Sequence, residues 1–167
     1  MKFSIGQSVA VSADAAIAAY ANPAFYEGRA PSGDISLVEV VSHEAAGSGE
    51  WIEVRYQFTG SVSSAVRAII DPAKMSWVTR TDFHRDEHRT SFTVIPDHYP
   101  DRLDCRGTFR FSDGATGADS SVITIEGDLK VHVFLVSRTV EQLIVNGLRA
   151  YLGAEALSLP EFRTRPA

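Results

Sequence analysis

The stretch VSRTVEQLIVNGLRAYL, residues 136–152, constrains the fold more than any other part of the chain. At about 100° per residue, Val136, Val140, Leu143, Ile144, Leu148 and Tyr151 spread across one broad face of a helix. A face that wide must be covered by a second large apolar surface. Gly147 falls inside it, between Val140 and Val136 in projection, where a glycine costs about 1 kcal/mol relative to alanine. Two readings of that glycine are open. Either the backbone approaches its neighbour too closely for any side chain, or the helix leaves room there for a ligand beside the hydroxyl of Tyr151.

The covering surface is foreshadowed upstream. Residues 2–11 alternate Phe3, Ile5, Gln7, Val9 and Val11, as a half-buried strand does. Two short helices follow in SADAAIAAYANPAFYEGRA, with Ser12 as N-cap and Asn22-Pro23 dividing them, because the residue before proline disfavours helical geometry. Strands are expected over 34–43 and 50–59, flanking AAGSG, and then over 75–84, 88–96, 103–112 and 120–134. Between them, Val62, Val66, Ile69 and Ile70 share a helical spacing over 62–72. Short polar turns join the strands, which favours an antiparallel meander. The expected class is α+β: a curved antiparallel sheet of about seven strands gripping the long C-terminal helix. One domain, residues 1–167, accounts for the whole chain, with a proline-containing tail after the helix.

Charge and cysteine usage narrow the partners. The net charge is −5 and no run of lysines or arginines breaks it, so neither a nucleic acid nor an anionic membrane surface is an expected partner. No stretch approaches the roughly 18 apolar residues of a membrane span. Ser4, Gly6, Gln7 and Ser8 interrupt the N-terminal run, which argues against a signal peptide. A lone cysteine, Cys105, fits a cytoplasmic location and excludes a disulfide within the chain.

The order of elements, together with VSADAAIAAYANPAFYE after the first strand and IEGDLKVHVFLVSRTVEQLIVNGLRAYLGAE near the end, resembles the helix-grip (SRPBCC) superfamily. That superfamily includes START lipid-transfer domains, the birch-pollen allergen family and polyketide cyclases, and the final stretch looks like a bacterial branch of it. Such proteins usually carry a proline and a glycine just before the helix. Here Phe134 and Ser137 hold those positions, while the acidic residue that follows is present as Glu141. The resemblance implies an internal cavity for apolar molecules between sheet and helix. It implies no reaction, because these folds host binders, transfer proteins, cyclases and co-chaperones.

Candidate site residues follow from strand periodicity. Tyr56 continues the row Ile52, Val54 and Phe58; Trp77, Thr79 and Thr81 share a face with Met75 and Phe83; Leu129 shares one with Ile123, Ile125, Val131 and Val133. Phe92, Cys105 and Phe109 complete the sheet side, and Val140, Ile144, Gly147 and Tyr151 the helix side. Apolar rows with interspersed hydroxyls suit a pocket for a largely hydrophobic ligand, and equally a filled core; the resemblance favours the cavity. Glu39 is the one catalytic candidate, if it shares the face of Ile35 and Leu37, though Val38 and Val40 make the opposite orientation equally open. His84 and His88 flank RDE at an expected hairpin tip with no third ligand in reach, so no metal is expected. PDHYPD, with His98 and Tyr99, reads as a loop rather than a site, with a position at a cavity mouth left open. The expected function is binding, transport or sequestration of a small apolar ligand such as a lipid, polyketide or aromatic metabolite, without cofactor. A cyclase- or dehydratase-type enzyme and a co-chaperone-like interaction module are the alternatives.

Overall fold

A computed structural model describes residues 1–27, 32–45, 49–68, 70–115, 119–133 and 137–164. Seven antiparallel strands form one sheet in the order β1-β7-β6-β5-β4-β3-β2. They are β1 (Lys2–Val9), β2 (Ile35–Glu44), β3 (Glu50–Phe58), β4 (Ser76–His84), β5 (Arg89–Pro96), β6 (Leu103–Asp113) and β7 (Ser121–Val131). Helices α1 (Ala13–Tyr20), α2 (Ser64–Arg67) and α3 (Ser137–Thr164) complete the fold. It is the expected α+β arrangement, with α3 packed on the concave face.

Local chemistry explains the boundaries. Ser12 Oγ accepts the Ala15 N–H at 3.2 Å and starts α1. The second expected short helix is a single 3-10 turn, Pro23–Phe25, opened by Asn22, whose side chain accepts the Ala24 N–H. The helix over 62–72 shrinks to α2, with Val62, Val66 and Ile70 buried; Ile69 lies outside the described residues. At the entry to α3, Ser137 Oγ accepts the Val133 N–H at 3.2 Å and donates back to the Val133 carbonyl. Glu141 then accepts the Val131 N–H at 3.0 Å, tying the helix to the end of β7. The Ser137 hydroxyl thus ties the start of α3 to Val133. Phe134, Val136 and the centre of AAGSG lie outside the described residues.

Two expectations need correcting. Residues beyond 152 are not a tail: α3 continues through Pro160 to Thr164. Ala156 and Leu159 are buried, and the Phe162 ring meets Phe25 edge-on at 5.2 Å between centroids. Burying such side chains stabilises by roughly 1.5–3 kcal/mol each, which outweighs the one hydrogen bond that a proline near a helix end forfeits. The second correction is β2, whose pairing with β3 shifts register between Leu37 and Glu39 and again between Val40 and Ser42. Bulges break the alternation of faces. Ile35, Leu37 and Val40 therefore pack on the core, while Val38 and Val41 are exposed.

Curvature comes from a glycine pair. Gly107 on β6 and Gly127 on β7 lie directly opposite one another. A Cβ on Gly107 would fall on the Glu126 carbonyl oxygen, 2.7 Å from the Phe92 ring and 2.8 Å from the Gly127 Cα. The Phe3 ring covers Gly127 in the same way. Missing side chains let the strands close in, and aromatic rings from β1 and β5 fill the hollow.

Candidate functional site

Between sheet and helix lies a cavity of two lobes that share Ile35, Trp77, Val94, Cys105 and Leu148. The outer lobe, about 110 Å³, is apolar in its depth. Leu129, Val131 and Val133 wall it from β7 and the residues just beyond, and Val140, Leu143, Ile144, Gly147 and Leu148 from α3. Exposed Lys74, His98 and Arg102 form a basic rim, with Tyr99 among them. The inner lobe, about 80 Å³, is of different character. Thr79, Thr81 and Thr90 supply hydroxyls from β4 and β5, and Tyr20, Tyr26, Tyr56 and Tyr151 surround them.

Each sequence-derived ligand candidate lies in this lining. Tyr56, Thr79, Thr81, Phe92, Phe109 and Tyr151 border the inner lobe; Leu129, Val140, Ile144 and Gly147 border the outer; Trp77 and Cys105 border both. Gly147 and Tyr151 are thus not side by side in one space, because one helical turn carries the chain from the first lobe to the second. A Cβ on Gly147 would meet only Ile35 Cδ1, at 3.8 Å, an ordinary contact. No close approach of backbone demands this glycine.

Aromatic rings order the inner lobe. Trp77 stacks on Tyr56 at 5.9 Å, and Tyr56 meets Tyr151 edge-on at 5.5 Å. On the other wall Tyr20 meets Phe109 at 5.7 Å, and Phe109 meets Phe92 at 5.6 Å. Such edge-on pairs fix ring positions beyond what burial alone does. The Tyr26 hydroxyl donates to the Tyr20 carbonyl at 2.9 Å, holding the loop after α1 against this wall.

Glu39 is not in the cavity. The bulge after Leu37 turns it to the convex face, where it accepts from Arg55 at 2.7 Å with half its side chain exposed. The acid inside is Glu155, which lines the inner lobe and is 4% exposed. It was missed because the helix was expected to end at 152. Its signal was spacing: Glu155 follows Tyr151 by four residues and Gly147 by eight, on the same face of α3. The same lobe is lined by Thr90, 1% exposed, whose Oγ1 has no hydrogen-bond partner among the described residues.

The remaining titratable candidates are occupied elsewhere. His84 Nε2 lies 3.3 Å from Ser91 Oγ, and His88 Nε2 lies 2.8 Å from an Asp14 carboxylate oxygen, so the two rings serve different partners. Among the described residues no group of three or more His, Cys, Asp or Glu is arranged to hold a metal. Burial, helped by the Asp128 carboxylate, pushes the Cys105 thiol up to about 12, so it is a small apolar wall and not a nucleophile. Alkylation by iodoacetamide at pH 8 should therefore run on the order of a thousandfold slower than for a free thiol. Mass spectrometry after timed quenching reads this directly, and rapid labelling of folded protein would contradict it.

The sequence profile of a family described as "Protein of unknown function (DUF2505)" matches residues 4–161. The chain belongs to that family. No curated protein matches it. Solved structures do. An aromatase/cyclase, Zhui, from Streptomyces sp. R1128 superposes with a TM-score of 0.64 at 14% identity, covering 99% of this chain and 96% of that one. Norcoclaurine synthase from Thalictrum flavum gives 0.61 at 19% identity, over 99% and 87%. A START superfamily protein from Mycobacterium smegmatis gives 0.60 at 16% identity, over 93% and 92%. At these identities the likeness is one of fold, and the fold is helix-grip. No helix among the described residues is long and apolar enough to cross a membrane.

Proposed function

We propose that this DUF2505 protein binds and carries a small apolar molecule in the cavity between sheet and α3. The observation that supports this most is Gly147: a buried helix position, facing the outer lobe, left without a side chain although an alanine would fit. A core selected only for packing would fill that space. Ligand size follows from the lobes, about 110 and 80 Å³. An apolar cavity of about 150 Å³ takes up benzene. The site therefore suits a one- or two-ring compound better than a long acyl chain. Binding rests on burial of apolar surface, with the threonine and tyrosine hydroxyls orienting whatever polar group the ligand carries.

This reading is preferred to an interaction module. Among the described residues the exposed large hydrophobic side chains are Val38, Val41, Ile95 and Leu157, spread over β2, β5 and α3. Scattered apolar residues of that kind are normal on a surface. A catalytic role for Glu39 finds no support on the convex face.

The test pairs a neutral fluorescent two-ring probe, 2-methoxynaphthalene, with two variants. Wild type should give a saturable signal that smaller aromatics displace. Gly147→Ala should bind as wild type does and gain about 1 kcal/mol of stability from helix propensity. Gly147→Leu should fold but bind at least roughly tenfold more weakly, because its side chain fills the outer lobe. Absence of saturable binding across a broad panel of apolar compounds would defeat the carrier reading.

A further inference from the structure

Resting on the carrier reading, we propose that the inner lobe takes an uncharged aromatic compound whose oxygen, carbonyl or hydroxyl, hydrogen-bonds to Thr90. The Thr90 side chain lines that lobe, is 1% exposed, and its Oγ1 has no hydrogen-bond partner among the described residues. Its cross-strand neighbours are Phe83 on β4 and Phe109 on β6, whose side chains carry no oxygen or nitrogen to meet it. Valine has nearly the same shape and would pack there without burying a polar group, so a core selected only for packing gains nothing from this hydroxyl. A ligand oxygen would accept the Thr90 O–H and make use of it. The stripe continues on β4. Thr79, Thr81 and Phe83 share one face of that strand, and Thr90 lies opposite Phe83, so Thr81 and Thr90 are diagonal neighbours in the same lobe.

Charge narrows the class. The described residues that line the inner lobe include one acid, Glu155, and no lysine, arginine or histidine. A carboxylate ligand would be stripped of water in a chamber that offers it no cation. An ammonium ligand only donates, and so would leave the Thr90 O–H without an acceptor. A carbonyl or hydroxyl oxygen accepts that bond and brings no charge to desolvate. Orientation follows: the oxygen lies against Thr90, and the ring runs past Trp77 and Leu148, which border both lobes.

Calorimetry with the full chain tests this using acetophenone, 1-phenylethanol and α-methylstyrene, in which a methylene group replaces the carbonyl oxygen of acetophenone. Thr90→Val should weaken acetophenone or 1-phenylethanol roughly tenfold, the scale of one buried hydrogen bond. It should change α-methylstyrene by less than about twofold, because the apolar lining is unaltered. Thr90→Ser keeps the hydroxyl and should keep the wild-type preference. Without ligand, Thr90→Val should melt no lower than wild type, since it removes a buried hydroxyl that has no partner. Wild type should bind benzoate and phenethylamine at least roughly tenfold more weakly than acetophenone. Infrared spectra of bound acetophenone decide even if the valine variant folds poorly: in wild type the carbonyl stretch should lie below its frequency in hydrocarbon solvent. An unshifted carbonyl, equal losses for acetophenone, 1-phenylethanol and α-methylstyrene, or tighter binding of either charged compound overturns the proposal and leaves the carrier reading standing. If α-methylstyrene and the two-ring probe also fail to bind, the carrier reading falls first and this proposal with it.

Discussion

Gly107→Ala is expected to destabilise the fold by about 3 kcal/mol or more, the upper end of what overpacking costs. In a chain of this size that corresponds to a melting temperature lower by roughly 10 °C. The new methyl has nowhere to go. It would fall on the backbone carbonyl of Glu126 and close to the Cα of Gly127, atoms that hydrogen bonding between β6 and β7 holds in place. Gly127→Ala is the informative partner, since the atoms nearest its methyl would be those of the Phe3 ring, the far end of a side chain that can swing aside. Its cost should be clearly smaller. Thermal denaturation followed by circular dichroism separates the two, with Gly147→Ala as a glycine replacement of opposite sign. A Gly107→Ala protein melting within a degree or two of wild type would show that the strands do not approach so closely, and the curvature would need another cause.

That close approach was invisible in the sequence, and the reason is general. Alternation reports which face a residue uses, not how near the neighbouring backbone lies. The rows through Tyr56, through Trp77, Thr79 and Thr81, and through Leu129 were legible because each strand keeps its period of two over the residues concerned. On β2 the period fails at two bulges, so alternation could not decide between the two orientations open to Glu39. Helix faces were legible for the same reason as far as Tyr151. Beyond Leu152 a proline-containing tail was expected, although tertiary contacts of Ala156, Leu159 and Phe162 carry α3 on through Pro160. Glu155 was lost with that segment. The apolar face of α3 continues for about three more turns past Leu152, because tertiary packing outweighs the low helix propensity of a single proline.

The division of α3 into two chemical halves also bears on how the protein works. Val140, Leu143, Ile144 and Gly147 present an almost wholly apolar surface to the outer lobe; Tyr151 and Glu155 present polar atoms to the inner one. The opposite wall follows suit, with Leu129 and Val131 facing the first group and Thr79, Thr81 and Thr90 the second. A ligand with one polar end therefore has a preferred direction. Apolar burial supplies the affinity, and the polar end supplies the orientation.

Leu129→Ala should cost about 3 kcal/mol, within the range for a leucine removed from a site that relaxes only in part. Leu129 is fully buried on β7, opposite Cys105 of β6, and its side chain forms part of the outer-lobe wall. Two consequences follow from that placement. Truncation removes buried methyl groups, which lowers the melting temperature by roughly 10 °C. It also merges the vacated volume with the lobe, so the variant should accept bulkier aromatics than wild type does. A ligand that binds only the folded state at a hundred times its Kd returns about 2.7 kcal/mol. Saturating fluorene, a three-ring aromatic bulkier than the wild-type lobe suits, should thus restore most of the lost melting temperature in Leu129→Ala and raise wild type by much less. The decisive quantity is the difference between those two shifts, measured by calorimetry at equal ligand saturation of the buffer. Equal shifts would mean that neighbouring side chains collapse into the vacated space, and Leu129 would then not set the size limit of the outer lobe.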